Sequence, residues 1–273
     1  MNYLVLFIKG MAYGAANIVP GISGATIAVI IKVYEQLVGA ITINYKKLLA
    51  NAPFLIPFGV GAVIGLFLFA RVFSYLLIEF FVPSQMFFLG LIIGCIPAIY
   101  KECIKESKLT KHDILPLVAG IAFMLILFAF AGQEKTGVID GGITLGAIAG
   151  VIVATFVSGF TMIIPGVSGA VMLKTFGYYT IALNAVSEFN IALIALFGFS
   201  GLSGLLIGAK LISTLIRTKR KLVYCVILGL IIGSAPSIFP YQDFRLNLEG
   251  TIGIFLFVIG AAIPVFLGKR NNN

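Results

Sequence analysis

The stretch Pro20-Gly21-Ile22-Ser23-Gly24-Ala25 returns as Pro165-Gly166-Val167-Ser168-Gly169-Ala170, each copy inside a long apolar run. Proline lacks the backbone donor and glycine favours non-helical dihedrals, so neither stretch continues as helix. Where an apolar run breaks at membrane depth, the freed backbone groups need partners from protein, water or a ligand, and such breaks line cavities. A new half-helix is expected after each Pro-Gly turn, with Ser23 and Ser168 in the N-cap position. Its first amides are unpaired and its dipole places partial positive charge there, which suits phosphate or carboxylate. Thr26 adds a hydroxyl to the first copy, whereas Val171 and Met172 in the second have none. Asn17 is the other polar side chain of the first copy, and Thr161 takes that part in the second. A tight turn with a capping serine and no ligand is the structural alternative. The duplication favours a functional role, because a break repeated in both halves is the pattern of transporters with a site at a repeat interface.

Five basic residues stand inside apolar segments: Lys9, Lys32, Arg71, Lys174 and Lys210. A cation at mid-membrane costs about 3 kcal/mol on insertion scales, so each must line a wet cavity, bind an anion or snorkel. Snorkelling suits Lys9. Lys32 lies close to the interface with Glu35 one turn away, so it either snorkels or pairs with that acid. Glu35 is the one buried acid placed to carry a coupling proton, and the two stand as the candidate coupling residues. Lys174 lies about two turns past the second break without nearby acid and reads as a cavity residue. Arg71 and Lys210 occupy matching places in the two halves, near opposite surfaces, as two stations for an anion or as two interfacial anchors.

The elements that must position these groups follow from composition. The chain has 273 residues, 60% of them hydrophobic and 11% charged, with mean hydropathy +1.11. Apolar runs follow one another with short gaps, which makes the protein a polytopic membrane protein. Met1-Asn2-Tyr3-Leu4 has no basic n-region, so no removable signal peptide is expected. Cys95, Cys103 and Cys225 follow no metal or disulfide spacing and are expected to be free thiols. His112 is the single histidine and lies in a charged loop, which argues against a histidine metal site and against histidine catalysis. No cofactor, metal or catalytic residue is expected, and no nucleic-acid partner.

The two halves keep register well beyond the break. Tyr34 matches Tyr179; Gly65, Ala70, Arg71 and Ser74 match Gly204, Ala209, Lys210 and Ser213; Leu89 to Gly94 matches Leu228 to Gly233 letter for letter, followed by Pro97 and Pro236. This points to a duplication of about 8–130 and 153–267 within a single transmembrane domain. Each half reads as one broken segment (about 4–43 and 143–185) and three spans, near 53–78, 86–100 and 114–131, then 190–216, 222–239 and 250–267. If the broken segments are re-entrant, twelve basic residues gather on one side: Lys46, Lys47, Lys101, Lys105, Lys108, Lys111, Arg217, Lys219, Arg220, Lys221, Lys269 and Arg270. Lys135 and Arg245 alone face the other. If the segments cross, the charges divide evenly. The positive-inside rule therefore selects re-entrance and places both termini in the cytoplasm. Three crossings per half invert the second copy. The expected fold is all-α with two inverted-topology repeats, each a re-entrant helical hairpin plus three transmembrane helices. The glycine pattern of the spans at 53–78 and 190–216 reads as close helix packing.

Lys9-Gly10, Ala16 through Thr26 and Tyr34-Glu35 resemble the first hairpin of the bacterial polyprenyl-phosphate transporters of the PopT type. Met162 through Gly169, Gly177, Tyr179, Ala70-Arg71 with Ser74 and the Leu-Gly-Leu-Ile-Ile-Gly spans resemble that family too. The sequence departs from its pattern at Ala25 and Lys32, where glycines are usual, and at Lys174, where aliphatic residues are common. The resemblance implies transport of undecaprenyl phosphate from the outer to the cytoplasmic leaflet of the bacterial plasma membrane. That recycles the carrier lipid of cell-wall synthesis. It implies a polyprenyl phosphate and membrane lipids as partners and allows a homo-oligomer. The residues expected to bind substrate are Asn17, Pro20, Gly21, Ser23, Gly24, Thr26, Arg71, Pro165, Gly166, Ser168, Gly169, Lys174 and Lys210. Two rivals stand beside this reading. A small-anion channel or exporter would use the same half-helices and lysines. An undecaprenyl-pyrophosphate phosphatase would also carry Pro-Gly-x-Ser hairpins, but there arginine follows where Gly24 and Gly169 stand, and the paired intramembrane glutamates of such enzymes are missing from this chain.

Overall fold

The computed structural model describes residues 2–17, 23–105, 107–130 and 145–270. Among them the chain forms helices and no strand. The first half runs α1 (Tyr3–Ala16), α2 (Gly24–Ile30), α3 (Tyr34–Ala40), α4 (Tyr45–Glu79), α5 (Phe81–Cys103) and α6 (Lys111–Phe130). The second runs α7 (Leu145–Thr161), α8 (Gly169–Thr175), α9 (Tyr179–Ser187), α10 (Ile191–Thr218), α11 (Arg220–Ile238) and α12 (Leu248–Arg270). Six of these, α4, α5, α6, α10, α11 and α12, are long and apolar enough to cross a membrane, and each coincides with a span expected from sequence. The α4 helix, at 35 residues, is about 52 Å long, well beyond the roughly 30 Å hydrocarbon layer.

Local chemistry sets the boundaries. Asn44 and Asn190 cap α4 and α10 by accepting the amides of Lys47 and Leu193 at 3.2 and 3.1 Å. One residue separates α4 from α5 and one separates α10 from α11. These are Phe80 (φ −131°, ψ 52°) and Lys219 (φ −141°, ψ 50°), which make the same bend.

Packing in the two halves also corresponds. The α1 helix lies along α4 as α7 lies along α10, and α5 lies along α12 as α11 lies along α6. Close approach is set by glycine: a β-carbon on Gly65 would strike the Met11 carbonyl, and one on Gly204 the Phe156 carbonyl. Gly59 and Gly198 have nothing opposite them, so the glycine pattern is close packing only in part. The α5 and α11 helices form the buried centre and touch each other, while the outer spans present apolar side chains outward.

One expectation is corrected here. Cys103 and Cys225 form a disulfide between α5 and α11, Cα atoms 5.6 Å apart; only Cys95 is free. Spacing in the sequence is uninformative because the partners sit on helices brought together by the central packing.

Candidate functional site

The two broken segments meet. Ser23 and Ser168 hold nearly identical extended backbone (φ −87°, ψ 130° and φ −91°, ψ 127°) just before α2 and α8. They occupy the N-cap positions, but neither hydroxyl caps its helix. The Ser23 hydroxyl donates instead to the Ile164 carbonyl of the second segment at 3.4 Å. In the other direction, the Gly166 amide donates to the Thr26 hydroxyl oxygen at 2.8 Å. Thr26 is fully buried and serves as this stitch rather than facing open space. Pro165 is fully buried as well. Gly166 takes φ +89° with the backbone of Leu230 and Ile231 close by, so the second break is pressed against α11.

A cavity of about 360 Å³ opens between the segments. Its polar lining comes from both: Tyr13 and Asn17 at the end of α1, Ser23 and Gly24 at the start of α2, and Ser168 and Gly169 at the start of α8. The rest is apolar, from Ala62, Val63 and Leu66 of α4 together with Met162, Val167 and Ala170. The Asn17 amide donates one hydrogen bond, to the Tyr13 carbonyl at 2.8 Å, and retains further capacity. A β-carbon on Gly24 would stand 2.5 Å from Asn17 Nδ2, and one on Gly169 would stand 2.6 Å from Met162 Cγ. Met162 is thus the counterpart of Asn17. Thr161, expected in that role, is buried and donates to the Ser158 carbonyl of its own helix at 2.9 Å. An apolar groove of about 280 Å³ between α6, α10 and α11 shares Val167 with the cavity. Tyr34 also lines the groove, and its hydroxyl is buried without a hydrogen-bond partner.

Other expected site residues lie elsewhere. Pro20 and Gly21 fall outside the described residues. Lys174 is exposed in the last turn of α8, where a cation suits the helix C-terminus, and does not line the cavity. Arg71 is exposed on α4, also away from it. Lys210 lines a separate cavity of about 410 Å³ with Lys47 and Arg217.

Lys32 and Glu35 do not pair. Lys32 takes φ 56° just after α2. Its amide bonds the Val29 carbonyl and that of Val33 bonds Ala28, at 3.1 and 2.9 Å, the pattern of a Schellman C-cap. Glu35 faces α11: its carboxylate accepts from both terminal nitrogens of Arg220 at 3.0 and 2.5 Å and from the Tyr224 hydroxyl at 2.5 Å. Arg220 also reaches Glu102 at 2.6 Å, tying α3 to α5 and α11. Burial pushes the Glu35 carboxyl up, but the hydrogen bonds from Arg220 and Tyr224 outweigh this and hold it below the ordinary carboxylate range. The Glu35 side chain is 43% exposed and engaged by α11 rather than by Lys32. Sequence reading missed Arg220 because it sits in the basic run Arg217 to Lys221, which composition alone reads as an interfacial anchor.

The donors gathered at the cavity are amides and hydroxyls, a set that recognises anionic oxygens. Among the described residues no three of His, Cys, Asp and Glu come together. Comparison with known proteins identifies the family. A family model described as VCA0040-like, undecaprenyl phosphate translocase-like, matches residues 13–255. A polyprenyl-phosphate transporter of Staphylococcus aureus (strain NCTC 8325 / PS 47) is 30% identical over 96% of this chain and 95% of its own length. Another of that name, from Vibrio cholerae serotype O1 (strain ATCC 39315 / El Tor Inaba N16961), is 31% identical over 92% of this chain and 83% of its own. No solved structure matches the chain.

Proposed function

The chain belongs to the VCA0040-like family of undecaprenyl phosphate translocase-like proteins, a transporter family and not an enzyme family, and from that membership we propose that it moves undecaprenyl phosphate from the outer to the cytoplasmic leaflet of the bacterial plasma membrane, returning the carrier lipid to cell-wall synthesis. The observation that carries this reading is the cavity between the two broken segments. Its polar lining is drawn from both, and its wall at Val167 is shared with an apolar groove. Asn17, Ser168 and the amides at Gly24 and Gly169 hold the phosphate beside Ser23, whose hydroxyl ties the first segment to Ile164, while the groove and the bilayer take the prenyl chain. With only seven residues each, α2 and α8 have opposite poles about 10 Å apart, so direct hydrogen bonds matter more here than the helix dipole. Thr26 and Gly166 tie the two segments to each other, with Pro165 buried next to Gly166 in the chain. Arg71 and Lys210 stand as stations at opposite ends. Lys32 caps α2, Glu35 tethers the first segment, and Lys174 anchors α8.

The topology supports alternating access. The α1 helix packs against α2 and α7 against α8, and Gly150 abuts the Tyr178 hydroxyl, which supports two re-entrant segments that each return to the side they left. With both re-entrant, the positive-inside rule puts the termini in the cytoplasm. The matched packing of α1 on α4 with α7 on α10, and of α5 on α12 with α11 on α6, supports an inverted duplication of about 8–130 and 153–267, with α5 and α11 flanking the axis. Such repeats rock around a fixed central site.

The test is leaflet transfer of undecaprenyl phosphate in proteoliposomes, with released phosphate counted in the same sample. Transfer without phosphate release, reduced in Asn17→Ala/Ser168→Ala, is the expected result. Release of phosphate from the pyrophosphate form would make the protein a phosphatase. Flux of small anions that undecaprenyl phosphate does not compete with would make it a channel.

A further inference from the structure

The cavity that Lys210 lines is built differently from the central one. Lys47 from the first turn of α4 and Lys210 and Arg217 from α10 surround a single volume of about 410 Å³, joined by Thr42, Ser213 and Thr214. None of its lining residues is acidic, and among the described residues no carboxylate pairs with any of the three cations. Lys105, Arg220 and Lys221 each have a carboxylate partner; what sets Lys47, Lys210 and Arg217 apart is that all three line one concavity. Interfacial anchors spread apart into solvent. Three like charges that converge on one concavity repel within a Debye length and are relieved by an anion seated between them.

The matching place in the other half lacks this. The register that sets Lys210 against Arg71 sets Arg217 against Ile78, and the third residue after the helix cap is Lys47 in α4 but Leu193 in α10. One end therefore has three cations and the other has one.

We propose that this cavity is a phosphate-monoester site, a receiving station at the cytoplasmic end of the transport path. The inference rests on the transport reading and its topology. A phosphate monoester carries close to two negative charges at neutral pH, so it gains more from three cations than a phosphodiester headgroup does. The Arg217 fork bonds two phosphate oxygens at once, the two lysines supply mobile point charges, and the hydroxyls of Thr42 and Ser213 complete the shell. The threefold charge makes this end the tighter of the two, so a headgroup arriving from the single cation at Arg71 is drawn toward the cytoplasm.

The experiment labels the site directly. Thr214, which is exposed and lines the cavity, is replaced in the full-length chain (Thr214→Cys) and its maleimide labelling rate is followed in phosphatidylcholine nanodiscs. Background is low, because Cys95 is buried and Cys103 is bonded to Cys225. Farnesyl phosphate is expected to slow labelling about tenfold and neutral farnesol to leave it unchanged. Lys47→Gln/Arg217→Gln should raise the protecting concentration by about tenfold per cation removed, whereas Lys47→Arg keeps protection. Protection by farnesyl phosphate alone assigns the site to the lipid headgroup; equal protection by inorganic phosphate assigns it to phosphate monoesters at large. No protection, equal protection by farnesol, or protection untouched by the charge-removing pair overturns the proposal. Leaflet transfer on the same protein separates the two readings: transfer without protection removes the station alone, and protection without transfer removes the transport reading and leaves a phosphate site.

Discussion

Where both are described, the first and second broken segments match in backbone and differ in chemistry. Ser23 and Ser168 have the same dihedrals, the glycine after each serine lies on the side chain seven positions earlier, and both short helices that follow end in a left-handed residue, Lys32 or Gly177. Yet the first segment presents Asn17 where the second presents Met162, and Thr26 where the second has Val171. Both segments line the cavity with polar groups, Ser23 and Ser168 among them, while Thr26 receives the Gly166 amide and Gly166 presses on α11. Shared geometry maintains the frame, and divergence within it makes the lining of the cavity unequal on its two sides. A symmetric frame with an asymmetric lining suits a carrier whose substrate leaves on a different side from the one it entered.

The largest test of that contrast is Gly166→Ala. The backbone there has φ +89° and a β-carbon would lie 3.0 Å from the Leu230 carbonyl carbon, so the cost is about 3 kcal/mol from left-handed strain and overpacking. It should appear as a large drop in Tm in detergent. Gly24→Ala meets only the mobile Asn17 side chain and should lose transfer while keeping most of its stability. Equal destabilisation of both would mean the second break is no more tightly held than the first.

Thr26→Val comes next. It leaves the Gly166 amide buried without an acceptor, which costs roughly 2 kcal/mol, while Val171→Thr adds a hydroxyl with no such task and should leave Tm nearly unchanged. If the two substitutions move Tm alike, the stitch does not join the segments. A smaller effect follows at the cavity itself. Asn17→Ala removes one side-chain donor to the phosphate and should slow leaflet transfer about tenfold, with a markedly lesser loss for Met162→Ala. The reverse ranking would move the headgroup to the second segment.

Much of this was legible in the sequence, for stated reasons. Hydropathy and turn chemistry located the six long helices to within a helical turn or two, and the Pro-Gly-x-Ser-Gly copies identified the two breaks, because backbone preference is local information. The roles of side chains at those breaks were not legible. The position of Ser23 predicts a cap, but its hydroxyl reaches Ile164 of the other segment. Glu35 stands one turn from Lys32 in sequence, yet the left-handed turn at Lys32 directs α3 toward Arg220, whose planar fork outcompetes a lysine already engaged in the bend. Cys103 and Cys225 meet only because α5 and α11 share the centre of the bundle. These three misses each involve a contact between the halves, which is information that neither half contains alone.

The finest test separates frame from chemistry at one position. Lys32 holds φ 56° where its counterpart Gly177 holds φ 80°, and glycine reaches that region without the Cβ clash that a lysine bears. Lys32 also stands near enough to Lys9 to feel its charge. Lys32→Gly should therefore raise stability by about 1 kcal/mol, and Gly177→Lys should lower it by a similar amount, both read as shifts in Tm. If Lys32 belongs to the frame, its glycine variant transports at the wild-type rate. If transfer stops while Tm rises, the amine takes part in the cycle, and the first segment contributes a moving charge as well as a polar lining.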